Sequence, residues 1–262
     1  MFHYTKTLLR SGGYITYSYF SFMRPFAKNP TKKDINWRYN KLRKVVAHTC
    51  SSMDADFIIE GKENVLDTAS CYISNHNSDF DPLLLISIME KPTTFVAKKE
   101  IEKFPFIGKC TKTIDGLFMD RDNLKQSLKV MLKIQDDLSK KKDKNWVIFA
   151  EGTRNKDCMA NLLPFHSGTF RAPMKAKVPI IPTCIYGGFR IFALKPQYKK
   201  YPIHIAFLKP IMPNEYENMS TEQLAKLVQD RIQAKLTFDI RSKDHIYMAK
   251  LKNKKYRFNK VY

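Results

Sequence analysis

The chain has 262 residues, 44% of them hydrophobic and 13% aromatic, with a formal net charge of +21. That length and apolar content suit one large α/β domain, or one domain with an appendage, and exclude a chain disordered along most of its length. The charge and a pI near 9.7 point to polyanionic partners: nucleic acid, an anionic membrane surface or phosphorylated substrates. Five cysteines (Cys50, Cys71, Cys110, Cys158, Cys184) are scattered without a CxxC pair, and the six histidines lack zinc-ligand spacing. Buried thiols in a reducing compartment are therefore expected, and a structural metal is not.

Residues 1–52 read as an α-helical lead-in. No run reaches the ~20 apolar residues of a membrane-spanning helix. The uncharged run Ser11 to Met23 is rich in Tyr and Phe and is flanked by Lys6, Arg10 and Arg24. That pattern suits the lipid headgroup region better than the bilayer centre, and it lacks the small-residue cleavage site of a signal peptide. After a polar break at 28–33 comes a basic amphipathic segment. In it Trp37, Tyr39, Leu42, Val45 and Val46 lie among Arg38, Lys41, Arg43 and Lys44, giving a cationic face. Two helices hinged at the break and resting on a bilayer are expected, the alternative being helices packed on the domain's own core.

Residues 53–240 alternate strand and helix signals. Strands are predicted to begin at Phe57-Ile58-Ile59 and to cover Cys71–Ser74, Thr93–Ala97, Gly116–Arg121, Trp146–Ala150, Val178–Tyr186 and Ile203–Leu208. Asp81-Pro82 offers a helix start, and a turn is expected around Pro105 and Gly108. From Asn123 a helix should bury Leu124, Leu128, Met131, Leu132 and Leu138 on one face. Ser220 and Gln223 form a capping box before a helix carrying Leu224, Leu227, Val228, Ile232 and Leu236. Residues 241–262 form a basic, aromatic tail. The alternation predicts an α/β fold: a mixed, largely parallel sheet covered by helices on both faces. Ligands gather at the carboxyl ends of such strands, where His76, Arg121 and Glu151–Arg154 all fall.

His76, with a carboxylate five residues on at Asp81, has the makings of a base with an orienting partner; Asp81 before Pro82 also reads as a plain helix cap. The guanidinium groups of Arg121 and Arg154 suit a phosphate monoester, because each can donate two hydrogen bonds to adjacent oxygens. Read blandly, Glu151 and Arg154 are a surface ion pair.

Four pieces occur in order: Asn75-His76-x4-Asp81, Gly116-x-Phe118-x-x-Arg121, Phe149-x-Glu151-Gly152-Thr153-Arg154 and Val178-Pro179-Ile180-Ile181-Pro182. In this order and spacing they resemble the four blocks of the glycerolipid acyltransferases, with the closest match in the 1-acyl-glycerol-3-phosphate (lysophosphatidic acid) acyltransferase family. The resemblance covers roughly residues 56–215, and Phe95–Glu100 with Pro105–Gly108 resembles the family's linking region. Ala150, Asn155 and His166-Ser167 depart from the usual pattern.

The resemblance implies an O-acyltransferase in which His76 deprotonates the acceptor hydroxyl and Asp81 holds its ring. Arg121, Glu151, Gly152, Thr153 and Arg154 then bind the glycerol phosphate. A backbone N–H, Lys98 or Lys99 are candidates for stabilising the oxyanion. It further implies a membrane-associated protein, peripheral or monotopic on the cytoplasmic face. The acceptor is lysophosphatidic acid, glycerol-3-phosphate or another lysophospholipid; the donor is acyl-CoA or acyl carrier protein, with no other cofactor. A competing reading is a basic protein that binds anionic lipid or nucleic acid without catalysis. No nucleic-acid-binding signature accompanies the charge, so no nucleic-acid partner is expected.

Overall fold

The structure, a computed structural model, describes residues 2–140, 143–157, 161–192 and 200–244. Cys158 and nearly all of the basic tail lie outside the described residues. The chain opens with α1 (Phe2–Ser18), a π-type turn at Tyr19–Met23, α2 (Arg24–Lys28) and α3 (Ile35–Ser52). The break between α2 and α3 contains Pro30, and Asp34 caps α3 by accepting from the Trp37 N–H at 2.9 Å.

The α/β part follows as β1 (Ala55–Glu60), β2 (Cys71–Ser74), α4 (Asp81–Ile88), β3 (Thr93–Lys98), α5 (Pro105–Thr113) and β4 (Leu117–Met119). Then come α6 (Leu124–Lys140), β5 (Asn145–Phe149), α7 (Arg171–Ala176), β6 (Ile180–Tyr186), β7 (Tyr201–Phe207), α8 (Pro213–Tyr216) and α9 (Thr221–Ala234). The seven strands form one sheet in the order β1-β7-β6-β2-β5-β3-β4. Every pairing is parallel except β6 with β7. The sheet is mixed and largely parallel, as expected.

Alternate residues of the central strands serve opposite layers, as the pleat requires. Ile73, Trp146, Ile148 and Ile180 pack with Val130, Ile134, Val228 and Ile232 of α6 and α9. Tyr72, Val147, Ile181 and Ile185 pack with Tyr39, Leu42, Leu84 and Leu85 of α3 and α4. The capping box at Ser220 and Gln223 is formed.

Three local expectations change. The segment around Pro105 and Gly108 is the helix α5, not a turn. Proline suits its first position, and Gly108 lets the helix approach the preceding segment: a Cβ there would lie 2.5 Å from the Glu102 carbonyl oxygen. β7 starts at Tyr201, two residues before the expected Ile203, and takes Pro202 into the strand.

The third change concerns α6. Its buried face is Val130, Ile134, Asp137 and Leu138, whereas Leu124 is 85% exposed and Leu128 and Leu132 face solvent beside it. Leu128→Gln is accordingly expected to stay within about 0.5 kcal/mol of wild type, while Ile134→Ala costs about 2–5 kcal/mol. Urea denaturation midpoints check both.

The amphipathicity of α1 is turned outward. Thr7, Ser11 and Ser18 are buried, and the Ser11 hydroxyl donates to the Ser52 hydroxyl at the end of α3. Lys6 and Arg10 both pair with Asp54, at 2.6 and 3.1 Å. Leu9 and Tyr17 are 82% and 70% exposed, with Leu8 and Phe20 beside them in the exposed set. Among the described residues no helix is long and apolar enough to cross a membrane. Arg38 leaves the cationic face expected of α3: it is buried and grips Asp115 through two bonds, of 2.7 and 3.0 Å.

Candidate active site

The site is built where β2 and β5 end side by side. Ser74 pairs with Phe149 in the sheet, and the Ala150 N–H donates to the Ser74 carbonyl at 3.2 Å. Beyond Ser74 the chain leaves the sheet, and the Asn75 side chain takes over the pairing with β6. Its amide nitrogen donates to the Ile185 carbonyl and its amide oxygen accepts the Ile185 N–H, each at 2.8 Å. A side-chain amide thus stands in for a strand residue and aims the next one, His76, out of the sheet edge.

His76 is clamped by four contacts. Its N–H donates to Glu151 Oε1 at 2.7 Å, and its carbonyl accepts the Asn155 N–H at 2.7 Å. Its ring stacks on Phe149 with centroids 4.3 Å apart. Its Nδ1 lies 2.9 Å from Asp81 Oδ2. That same oxygen accepts the N–H groups of Asn77 and Ser78, both at 2.8 Å. Because the carboxylate oxygen is an acceptor, the neutral imidazole carries its proton on Nδ1 and its lone pair on Nε2.

Asp81 therefore does not cap α4, although it opens it. It folds back to hold the turn that carries His76, and one oxygen does both jobs. Its other oxygen abuts Gly188, where a Cβ would lie 2.8 Å away.

Glu151 is turned inward, 2% exposed. Its second oxygen accepts the Leu163 N–H at 2.9 Å. Burial pushes its carboxyl pKa up from the usual range, and the two N–H donors oppose that push. The direct substrate contact implied for Glu151 is not what these surroundings offer, since both oxygens serve the backbone. Gly152 has φ +64°, and a Cβ there would strike the His166 ring at 2.7 Å, so glycine is required on two counts. Thr153 and Arg154 are exposed on the same loop. Arg154 Nη1 donates to Asp79 Oδ2 at 2.6 Å, which brings its guanidinium to the His76 turn.

The remaining expected residues share the sheet edge without joining this cluster. Lys98 pairs with Glu100 at 3.1 Å and Lys99 with Asp120 at 2.9 Å. Arg121 follows β4, two strands from β5 and so roughly 10 Å away at ordinary strand spacing. Partial burial lowers its pKa, but a guanidinium stays charged. Asn75, Asp79, Phe149 and Gly188 had no assigned role. The amide just before the histidine and the aromatic before the Glu-Gly-Thr-Arg run were the available signals.

The fold and this cluster define an α/β domain with a carboxylate-held histidine at the carboxyl edge of its central strands. A family profile described as Acyltransferase matches residues 56–186. The chain belongs to the acyltransferase family. It is 30% identical over 154 residues to a 1-acyl-sn-glycerol-3-phosphate acyltransferase of Salmonella typhimurium, covering 59% of this chain and 61% of that relative. A probable enzyme of the same name from Mycoplasma pneumoniae is 29% identical over 204 residues, covering 73% of this chain and 75% of its own. The chain thus spans about three-fifths of the Salmonella relative. In fold it matches the crystal structure of the 1-acyl-sn-glycerophosphate acyltransferase from Thermotoga maritima. The TM-score is 0.62 at 19% identity, covering 93% of this chain and 90% of that one.

Proposed function

We propose that this protein transfers a fatty acyl group from a thioester donor, acyl-CoA or acyl carrier protein, to the sn-2 hydroxyl of lysophosphatidic acid, forming phosphatidic acid. The observation that carries the reading is the His76 ring, fixed through Nδ1 by Asp81 with Nε2 left as a base. Among the described residues no serine hydroxyl or cysteine thiol hydrogen-bonds that ring, so the hydroxyl to be activated belongs to the acceptor.

Nε2 takes the hydroxyl proton as the oxygen attacks the thioester carbonyl. The tetrahedral intermediate collapses, the C–S bond breaks, and the imidazolium returns the proton to the leaving thiolate. Asp81 stabilises the imidazolium between the two steps. The acceptor phosphate lies on Arg154, whose guanidinium reaches the His76 turn. Arg121, Lys98 and Lys99 supply positive charge along the same edge for phosphate groups of acceptor or donor. Glu151 acts by holding the His76 backbone rather than by touching the acceptor. The names of the relatives support lysophosphatidic acid over other acceptors.

The decisive assay offers lysophosphatidic acid, glycerol-3-phosphate and lysophosphatidylcholine in vesicles, each with acyl-CoA and with acyl carrier protein. Labelled phosphatidic acid from the first acceptor is expected. Transfer to none of them, together with salt-dependent RNA binding, would favour the basic-binder alternative.

Exposed apolar side chains on α1 and the turn after it support a place at a membrane surface, peripheral or monotopic, and the cytoplasmic face is the one we propose. Leu8, Leu9, Tyr17 and Phe20 enter the headgroup boundary, and surface lysines add about 1 kcal/mol each against anionic lipid. Replacing those four residues with serine is expected to release the protein from anionic vesicles, read by co-sedimentation. Unchanged pelleting would mean that another surface holds it.

A further inference from the structure

The guanidinium assigned to the acceptor phosphate is already occupied. Arg154 holds Asp79, and the two side chains are 45% and 59% exposed. An ion pair this exposed shifts an equilibrium by about fivefold at most, so it does little for the fold. Its position is what matters. Asp79 lies in the turn between His76 and Asp81, three residues past the base. The backbone beside Arg154 is pinned to that turn, because Asn155 N–H donates to the His76 carbonyl at 2.7 Å. An internal anion therefore sits where the substrate's anion is to bind, within the loop that carries the chemistry.

We propose that Asp79 is a further residue of the acceptor site: a tethered competitor for Arg154 that the phosphate of the acceptor must displace, and that sets how tightly the site holds it. The inference rests on the placement of the acceptor phosphate at Arg154. Near pH 7 a phosphate monoester carries about −1.5 to −2 charges and three terminal oxygens, against a single charge on the carboxylate. Asp79 meets Arg154 through one bond, Nη1 to Oδ2, so exchanging it for a monoester gains charge and lets the guanidinium use both of its prongs. A phosphodiester brings one charge and two free oxygens and so gains less at Arg154, while the cost of displacing Asp79 is the same for both. After exchange the freed carboxylate remains close to the phosphate and repels it. That repulsion weakens the hold on the monoester product as well as on the substrate.

The test uses the full chain and its Asp79→Asn variant, in wild-type and Arg154→Gln backgrounds. Inorganic phosphate is the calorimetric probe, and lysophosphatidic acid and lysophosphatidylglycerol are the acceptors. Asp79→Asn is expected to tighten phosphate binding about two- to fivefold and to lower KM for lysophosphatidic acid by a similar factor. KM for lysophosphatidylglycerol should fall by no more than that factor, because the tether competes with both acceptors alike and the lost repulsion acts most on the more highly charged monoester. In the Arg154→Gln background these changes should vanish, because the two side chains act on each other. Phosphate affinity that is unchanged by Asp79→Asn overturns the proposal, as does an equal change with Arg154 absent. A loss of kcat with phosphate affinity unchanged also overturns it, by showing that Asp79 merely shapes the turn. If the wild type acylates no lysophospholipid yet phosphate binding responds as expected, the competitor stands and the acceptor assignment fails.

Discussion

Replacing His76 with alanine is expected to lower kcat/KM about 10²–10⁴-fold, the usual contribution of a positioned general base. The residual rate should come from positioning and from stabilisation of the oxyanion alone. Asp81 loses only one of the three donors to its Oδ2 in this variant, since the N–H groups of Asn77 and Ser78 remain. The turn should therefore survive, and an unchanged far-ultraviolet spectrum would separate lost chemistry from lost fold. Wild-type turnover by the alanine variant in a vesicle assay would rule His76 out as the base.

The second large effect is expected at Glu151. Its two oxygens accept one N–H from each side of the site, His76 at 2.7 Å and Leu163 at 2.9 Å. Glutamine is nearly the same shape, but its amide group would face one of those N–H groups with a donor. One buried N–H is then unpaired, at about 1–3 kcal/mol of stability. A small displacement of His76 is enough to lower kcat about 10²-fold while acceptor KM stays within about twofold. A residue that bound the acceptor directly would instead raise KM. The split between kcat and KM, measured on lysophosphatidic acid, decides whether Glu151 positions the base or touches the substrate.

Much of the sheet was legible because its strands are short apolar runs buried on both faces, with no competing period. The site was legible in part because a histidine and an aspartate five residues apart across one turn can meet without help from the rest of the chain. The inward turn of Glu151 was not, since a glutamate beside glycine and arginine reads equally as a surface group or a ligand. On α6, two apolar stripes share one helix: Leu124, Leu128 and Leu132 on one side, Val130, Ile134 and Leu138 on the other. Periodicity finds a stripe but cannot say which one faces the core. Arg38 was misread for a related reason. Among many surface cations, nothing local marks the one whose partner, Asp115, is 77 residues away.

The outward-facing leucines and aromatics of α1 and the turn after it bear on how rates should be measured. An enzyme held at an interface meets a lipid acceptor in two dimensions, so its velocity should follow the mole fraction of acceptor in the surface rather than the bulk concentration. Adding inert lipid at constant total acceptor should then slow the reaction by surface dilution. Removing lipid altogether would leave the Leu8, Leu9, Tyr17 and Phe20 patch to find another apolar surface, most readily that of a second molecule, and detergent or vesicles should keep the purified protein dispersed.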